Sequence, residues 1–168
     1  LVQSRMDALT KICNRGYGEA QIEKLLKAKK NGMFLLFDVD KFKHINDTYG
    51  HSIGDEVLIQ VADALKQTFE QAGVCMRLGG DEFAVYAPEI TEQMQAETMI
   101  QAFFERIRNI VIPQMEGDAI SVSLGAVLCA PDREHVFEKV YQRADATMYT
   151  CKKVIGNSYD FYTGRNPA

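Results

Sequence analysis

The chain has 168 residues, of which 46% are hydrophobic and 25% charged, and this composition fits one globular domain that buries its own core. Its formal net charge of −4 argues against a protein that binds nucleic acid without sequence preference, because such a protein needs a basic face. No apolar run approaches the roughly 20 residues of a membrane-spanning helix, and no signal-peptide pattern opens the chain.

Helical and strand patterns alternate along the first half of the chain. The predicted elements are a helix over Glu19–Lys30, a strand that begins at Met33, a short helix over Lys41–Thr48 and a long helix that ends near Gly73. Ser52 is predicted to cap the long helix, with Asp55 as a weak stand-in for the usual Glu or Gln of a capping box.

The second half adds a hairpin, two amphipathic helices and two further strands. The predicted elements are strands over Val74–Leu78 and Glu82–Ala87 around Gly79-Gly80, a helix with apolar positions from Ile100 to Val111 that Pro113 closes, a strand over Ile120–Leu128, a helix over Phe137–Cys151 and a strand over Tyr159–Tyr162. This order contains a split βαββαβ unit, which predicts an α+β fold with a central, mostly antiparallel sheet and helices covering one face.

Four cysteines lie far apart in the sequence, without the CxxC spacing of a zinc or redox site. They are Cys13, Cys75, Cys129 and Cys151. We therefore expect buried, reduced thiols in a cytoplasmic domain. We also expect this domain to contact neither nucleic acid nor membrane, whether or not a longer protein is tethered to a membrane.

Two of the predicted strands border on carboxylates. Asp38 and Asp40 end the apolar run that begins at Met33, and Asp81 and Glu82 follow the glycine pair of the hairpin. If the two strand ends lie side by side, acidic oxygens converge beside a glycine turn whose backbone N–H groups can line a phosphate. Magnesium takes one or two carboxylates together with water and substrate phosphates, so the sequence predicts a metal-assisted nucleotide site.

Four separate blocks carry a resemblance to a known family. They are Asp7-x-Leu9-Thr10 with Asn14-Arg15, the segment Phe37–Asp55, the segment Arg77–Phe83, and Ala144-Asp145-x-x-Met148-Tyr149. In this order, over about residues 7–162, they resemble the GGDEF family of bacterial diguanylate cyclases. The resemblance implies a palm-like core, similar to that of nucleotide polymerases and adenylyl cyclases. It also implies condensation of two GTP into cyclic di-GMP with release of two pyrophosphates.

The resemblance also implies how such a domain is used. The chain 1–168 would be a single GGDEF domain and the C-terminal output domain of a longer signalling protein with an upstream sensor. Each domain supplies one GTP, so catalysis would require a homodimer in which two sites face each other.

A metal set and a catalytic set follow from the same resemblance. Asp38, the backbone carbonyl of Val39 and the carboxylate of Asp81 would hold Mg²⁺ or Mn²⁺ against the GTP phosphates. Glu82 would complete the metal environment or assist catalysis, and Lys43 belongs to the catalytic set through its contact with the terminal phosphates. Asp81 is also the general base proposed for the family.

The resemblance implies a guanine site as well. Asn46 and Asp55 match the positions that read guanine, with His51 nearby. A carboxylate accepts hydrogen bonds from guanine N1 and N2, which adenine does not offer at that edge, so Asp55 predicts GTP over ATP. The backbone at Gly79 and Gly80 would lie against the nucleotide, where a side chain would leave no room.

Phosphate contacts are implied at two places. Lys43 and the backbone N–H groups of the short helix would contact the terminal phosphates, and Phe42 belongs to the same substrate site. Lys152 matches one residue of a second phosphate-binding pair, but Gly156 or Asn157 falls where the family has an arginine.

Departures from the family pattern leave alternatives open. The missing arginine is compatible with a catalytically weak or inactive domain that serves as a GTP-binding or partner-binding regulatory module. A cyclase with relaxed specificity that makes mixed cyclic dinucleotides is a further alternative, which Asp55 disfavours. Residues 70–73 read Glu-Gln-Ala-Gly where many relatives have an Arg-x-x-Asp product-inhibition site, so we expect no tight feedback by cyclic di-GMP through that segment.

Overall fold

The computed structural model describes residues 4–130 and 133–164. Within these ranges the chain forms five α-helices, five strands and one short 3-10 turn at Pro113–Met115. In chain order the helices and strands are α1 Arg15–Lys27, β1 Gly32–Val39, α2 Phe42–Tyr49, α3 His51–Phe69, β2 Val74–Gly79, β3 Glu82–Pro88, α4 Gln93–Arg108, β4 Val122–Leu128, α5 Phe137–Cys151 and β5 Ser158–Phe161. None of these helices has the length and apolar character needed to cross a membrane.

The strands form one sheet in the order β2-β3-β1-β4-β5. Every pairing is antiparallel except that of β4 with β5, which is parallel. The predicted α+β fold with a mostly antiparallel sheet is therefore confirmed. The central strand β1 places Asp38 opposite Glu82 of β3 on one side and opposite Ser123 of β4 on the other.

Helices cover both faces of the sheet, so the prediction that they cover one face is wrong. On one face Met33, Leu35 and Phe37 of β1 pack in a core with α3 and α4. On the other face Phe34 and Leu36 pack in a second core with α1 and α5. The physical reason is that consecutive residues of β1 are all apolar, and a strand with two apolar faces has to bury both.

Helix ends differ from the predicted ones because of local capping. The first helix begins at Arg15, since the side chain of Asn14 accepts a hydrogen bond from the N–H of Tyr17 at 2.9 Å. It ends at Lys27, before the predicted Lys30. The predicted cap at Ser52 is wrong, because α3 begins at His51 after Gly50 and has no side-chain cap.

The cysteine prediction is confirmed for three of the four side chains. Cys75, Cys129 and Cys151 are buried, Cys13 is partly buried, and all four are free thiols. Burial raises the pKa of Cys75 and of Cys129 to about 12, so both side chains stay protonated at neutral pH.

Candidate active site

The carboxylates that the sequence singled out meet at one edge of the sheet. Asp38 and Glu82 are directly opposite each other in β1 and β3, so their side chains leave the same face of the sheet. That face is the one covered by α1 and α5. Asp81 lies in the turn before Glu82, and its carbonyl accepts a hydrogen bond from the N–H of Val39 at 3.3 Å. The structure therefore brings the predicted acidic residues together.

Asp38 is half-buried and paired with one cation of the chain. Lys152, the residue after α5, donates a hydrogen bond from Nζ to Asp38 Oδ2 and forms a salt bridge with it. The other carboxylate oxygen, Oδ1, is buried and has no partner among the described residues. Burial raises the pKa of Asp38, and the charges of Asp81 and Asp40 add to this, while Lys152 opposes it.

The neighbouring titratable groups show the same concentration of negative charge. Burial raises the pKa of Asp81, with a contribution from Asp40, although two backbone N–H groups and Lys152 oppose the shift. Burial lowers the pKa of Lys152, but Asp38, Asp81 and Asp40 outweigh burial and the pKa lies above its ordinary value. The charge of Lys152 therefore acts on three carboxylates here, those of Asp38, Asp81 and Asp40.

The donor set fits a hard divalent cation that takes most of its ligands from elsewhere. Within residues 4–130 and 133–164, no group of three or more His, Cys, Asp or Glu side chains is arranged to hold a metal ion. Magnesium does not need such a cage, because one or two carboxylates suffice when phosphates and water complete the shell. The buried, unpartnered Oδ1 of Asp38 is the atom that such a cation would satisfy.

Hydrogen bonds from the side chain of Arg77 stabilise the Gly79-Gly80 turn. Gly80 has φ 52, a backbone conformation that residues with a side chain rarely adopt. A Cβ at this position would meet nothing within 4 Å, so glycine is favoured here by the backbone conformation and not by lack of space. Arg77 donates from Nε and Nη2 to the carbonyl of Gly80 at 2.9 and 2.8 Å. Its Nη1 reaches both carboxylate oxygens of Asp7, at 3.3 and 3.2 Å. Asp7 in turn accepts from the N–H and hydroxyl of Thr10.

The residues predicted to read guanine lie on the two helices after β1. Asn46 of α2 has a buried Oδ1 with no partner among the described residues. Gly54 of α3 lies directly against this amide, so a Cβ at Gly54 would collide with Asn46 Oδ1. Asp55 and His51 are exposed on α3. The structure thus brings Asn46 to a polar, unsatisfied position and leaves His51 and Asp55 facing solvent.

The predicted phosphate contacts begin α2. Phe42 is its first residue and is half-buried, while Lys43 is exposed. The chain turns into α2 through Lys41, which has φ 53. Asp40 supports this turn, because its carboxylate accepts hydrogen bonds from the hydroxyls of Ser121 and Ser123, both at 2.6 Å.

Gly156 or Asn157 falls where the family pattern has an arginine, and the side chain of Asn157 binds the backbone instead. The side chain of Asn157 accepts a hydrogen bond from the N–H of Val122 at 2.9 Å. Gly156 contributes no side chain. Lys152 is therefore the cation of this segment that reaches the acidic edge, through Asp38.

Three contacts at the site involve residues whose roles the sequence did not reveal. Tyr141 of α5 donates from its hydroxyl to Glu82 Oε1 at 2.6 Å. Burial, and then the adjacent Glu82, raise the pKa of Tyr141, so the hydroxyl keeps its proton. Arg77 and Asp40 make the other two contacts. Arg77 and Asp40 had a visible signal, since both lie within the four blocks, Arg77 two residues before Gly79 and Asp40 at the end of the apolar run of β1.

A separate cleft of about 290 Å³ lies away from these residues. It is lined by side chains of α1, α3 and β2 and by the segment before α1, among them Lys11, Cys13, Lys66, Glu70 and Cys75. None of the predicted site residues lines it.

Comparison with known proteins decides the family. The model of the family described as "Diguanylate cyclase, GGDEF domain" matches residues 4–158. This chain belongs to the GGDEF family. Its relatives include the diguanylate cyclase DosC of Escherichia coli, 36% identical over 160 residues, and YtrP of Bacillus subtilis, an uncharacterized protein, 30% identical over 149 residues.

The chain spans a part of these relatives. The match covers 88% of this GGDEF chain and 33% of DosC, and 89% of this chain and 25% of YtrP. The activities and partners of those longer proteins are therefore not assigned to this chain by similarity.

Solved structures agree with the fold. The GGDEF domain of DgcB from Caulobacter crescentus, in complex with c-di-GMP, superposes with a TM-score of 0.85 at 25% identity, covering 96% of this chain and 98% of that one. The GGDEF domain of TpbB (YfiN) from Pseudomonas aeruginosa gives 0.82 at 27% identity, covering 94% of each chain.

Proposed function

We propose that this GGDEF domain is a diguanylate cyclase that condenses two GTP into cyclic di-GMP and releases two pyrophosphates. The observation that supports it most is the acidic edge of the sheet, where Oδ1 of Asp38 is buried without a partner in the described part of the chain, near Asp81 and opposite Glu82. A site with unsatisfied negative charge beside a glycine turn suits a nucleotide triphosphate that arrives with a divalent cation.

The cation would be held by Asp38, the carbonyl of Val39 and Asp81, with Glu82 beside them. When bound, Mg²⁺ or Mn²⁺ supplies charge neutralisation on the GTP phosphates. Lys152 pairs with Asp38 through a salt bridge. We propose that the ammonium group of Lys152 leaves this carboxylate for a phosphate oxygen when GTP and the metal bind. The metal would then balance the charge of Asp38, and Lys152 would balance charge on the phosphates.

The rest of the chain would position GTP. Lys43 and the N–H groups that begin α2 would contact the terminal phosphates, with Phe42 beside them. Asp55 would accept hydrogen bonds from guanine N1 and N2, and the amide of Asn46 would accept or donate along the guanine edge, with His51 nearby. The backbone of Gly79 and Gly80 would lie along the nucleotide.

The chemical step is nucleophilic substitution at phosphorus. The 3′-hydroxyl oxygen of one GTP forms a bond to the α-phosphorus of the other, and the bond from that phosphorus to the pyrophosphate oxygen breaks. Asp81 would accept the hydroxyl proton. Burial raises the pKa of this carboxylate, whereas a cation held by the same group would lower it. A second such step in the opposite sense closes the ring.

Two domains are needed for both steps, because each domain would hold one GTP. We propose that the catalytic unit is a homodimer and that this domain is the output domain of a longer signalling protein with an upstream sensor. The short match to DosC and YtrP supports the second part, since both proteins extend well beyond the matched region. Holding the two nucleotides in register converts a reaction between two complexes into an intramolecular one.

A second candidate is a GTP-binding or partner-binding regulatory module with little or no turnover. The observation that favours it is the commitment of Asn157 to the N–H of Val122, where relatives of the predicted pattern have an arginine for the triphosphate. Loss of a multi-donor contact weakens phosphate binding and leaves Lys152 as the remaining cation.

Product identification separates the two candidates. The domain fused to a dimeric coiled coil is incubated with GTP and MgCl₂ or MnCl₂, and products are identified by chromatography and mass. A cyclase yields cyclic di-GMP that disappears in Asp81→Ala and persists in Asp63→Ala, a control at an exposed aspartate of α3. GTP that binds without conversion would contradict the cyclase and support the regulatory module.

A further inference from the structure

We propose that Tyr141 is a positioning residue for Glu82, fixing the orientation in which this carboxylate faces the divalent cation. The proposal rests on the proposed function, since it concerns the same metal and nucleotide site. Glu82 is the second acid after the glycine pair, and a glutamate side chain has three rotatable bonds. Something has to hold it if its carboxylate is to act at a defined place.

The hydrogen bond between the two residues is short, and the tyrosine ring is fixed by packing. The Tyr141 hydroxyl donates to Glu82 Oε1 at 2.6 Å, within the range of hydrogen bonds to charged oxygens. The ring of Tyr141 packs against Phe137 one turn earlier on α5, with centroids 6.1 Å apart and planes 31° apart. Phe137 is itself buried against Phe34 of β1, so the tyrosine is anchored to the core.

This hydrogen bond makes the two carboxylate oxygens of Glu82 unequal. Oε1 accepts the hydrogen bond from Tyr141, so Oε2 is the oxygen that Tyr141 does not occupy. Since Glu82 lies opposite Asp38 on the same face of the sheet, Oε2 is the oxygen left for the acidic edge. A carboxylate held in this way presents one oxygen, as partners in the outer shell of metal sites commonly arrange.

Helix α5 contributes contacts to two acids of the site. Tyr141 lies near its beginning and bonds Glu82, and Lys152 follows its end and bonds Asp38. The two contacts join the helix to β3 and to β1. The hydroxyl of Tyr141 is therefore part of the support for the acidic edge and not an isolated surface contact.

Removing only the hydroxyl tests this role. In Tyr141→Phe the ring and its packing stay, so we expect the fold to survive. The matched control is Tyr86→Phe, because the Tyr86 hydroxyl also makes a 2.6 Å hydrogen bond, to the carbonyl of Lys30, away from the acidic edge. Tyr141→Leu is a second variant without the hydroxyl, in case the phenylalanine variant does not fold.

The readout is the magnesium requirement of nucleotide binding in the absence of turnover. Thermal stabilisation of the domain by the α,β-methylene analogue of GTP is measured as MgCl₂ is varied. Tyr141→Phe should raise the half-maximal magnesium concentration about tenfold, the lower end of the usual effect of outer-shell partners, while Tyr86→Phe leaves it unchanged. An unchanged requirement in Tyr141→Phe would overturn the proposal, even if the variant were less heat-stable, because a structural role alone predicts that result.

Product formation by the wild-type domain distinguishes this inference from the proposed function. If the wild-type domain binds the analogue with magnesium but makes no cyclic di-GMP from GTP, the cyclase proposal fails and the magnesium shift still decides the role of Tyr141. If the wild-type domain shows no magnesium-dependent stabilisation by the analogue, both proposals are overturned.

Discussion

At the scale of single residues, the guanine end of the site depends on a contact between two side chains on neighbouring helices. Asn46 Oδ1 is buried and has no hydrogen-bond partner within residues 4–130 and 133–164, and Gly54 lies directly against it. An added methyl group at Gly54 would push the amide out of the place where it can meet a base. The absence of a side chain at Gly54 is thus part of the proposed recognition of GTP.

We therefore expect Gly54→Ala to weaken GTP binding by about tenfold or more, equal to about 1.4 kcal/mol. Calorimetric titration with GTP and magnesium measures this. The matched control is Gly16→Ala at an exposed position of α1, where the nearest heavy atom to a new Cβ is 3.8 Å away and the change should be neutral or stabilising by about 0.5–1 kcal/mol. Equal GTP affinities in the two variants would contradict the proposed place of Asn46.

Asp7 provides a residue-scale prediction about pH. Burial raises its pKa, but hydrogen bonds from Thr10 and Arg77 outweigh burial and hold the pKa below the ordinary value of 3.8. A group whose pKa is lowered by folding stabilises the fold above its unfolded pKa, and this contribution is lost as pH falls through the folded value. Asp7 also holds the arginine that supports the Gly79-Gly80 turn.

Asp7→Asn should accordingly be less stable than wild type at pH 7, and the difference should shrink as pH falls below about 4. Urea unfolding at a series of pH values measures it. A difference between the two proteins that stays constant down to pH 2 or grows in acid would show that Asp7 does not carry this charge-dependent stability.

At the scale of elements, α5 is the helix that supports the acidic edge, and α1 supports α5. The first helical residue of α5, Phe137, donates its N–H to Glu23 Oε1 of α1 at 2.8 Å. Val136, at the N-cap position of α5, makes no side-chain cap. Glu23 thus performs across two helices what a capping residue performs within one.

Glu23→Ala should cost about 1 kcal/mol of unfolding free energy, as loss of a cap does. The control is Glu19→Ala on the same helix, because Glu19 pairs with Arg15 at 3.6 Å on the exposed surface and such pairs contribute about 0–1 kcal/mol. Chemical denaturation gives both values. If Glu19→Ala proved as damaging as Glu23→Ala, the cross-helix cap would not be what stabilises α5.

The turn between α3 and β2 bears on product feedback. Gly73 lies where relatives with the feedback motif have an aspartate, and a Cβ at Gly73 would collide with the backbone of β3 at Tyr86. This path of the chain excludes the acidic side chain of the motif as well as lacking its arginine. We therefore expect calorimetry to show no cyclic di-GMP binding in the nanomolar to low-micromolar range at this turn. Such binding, abolished by Glu70→Ala, would overturn the expectation.

Sequence patterns predicted the helices and strands better than they predicted the contacts between these elements. The apolar run of β1, the hairpin around Gly79-Gly80 and the bounds of α5 could be predicted, because each depends on neighbours in the chain. The start of α1 depends on the Asn14 cap, which the apolar pattern used to predict this helix does not include. The unbroken apolar run of β1 indicates a strand that is buried on both faces, and therefore helices on both faces of the sheet. The prediction of helices on one face relied instead on the order of the elements.

The acidic edge could be predicted for a similar reason, since carboxylates at the ends of adjacent strands must meet. Its supports could not. Arg77 and Asp7 are 70 positions apart, and Tyr141 and Glu82 are 59 apart, so no local pattern connects them. Both contacts depend on how α5 and the segment before α1 pack on the sheet.

At the scale of the whole molecule, one GGDEF domain holds half of the proposed reaction. The acidic edge carries groups for one nucleotide triphosphate, and the second would come from a facing copy. The rate of product formation therefore has to depend on how often two loaded domains meet, and on whatever holds them together in a longer protein.

The measurement that tests the central claim most directly is the initial rate of cyclic di-GMP formation from GTP and magnesium as the concentration of the unfused domain is varied. We expect the rate to rise with the square of domain concentration when the domain is dilute, and in direct proportion once two copies are joined by a coiled coil. GTP that remains intact at every concentration, in the fused as well as the unfused domain, would contradict the assignment of this chain as a diguanylate cyclase.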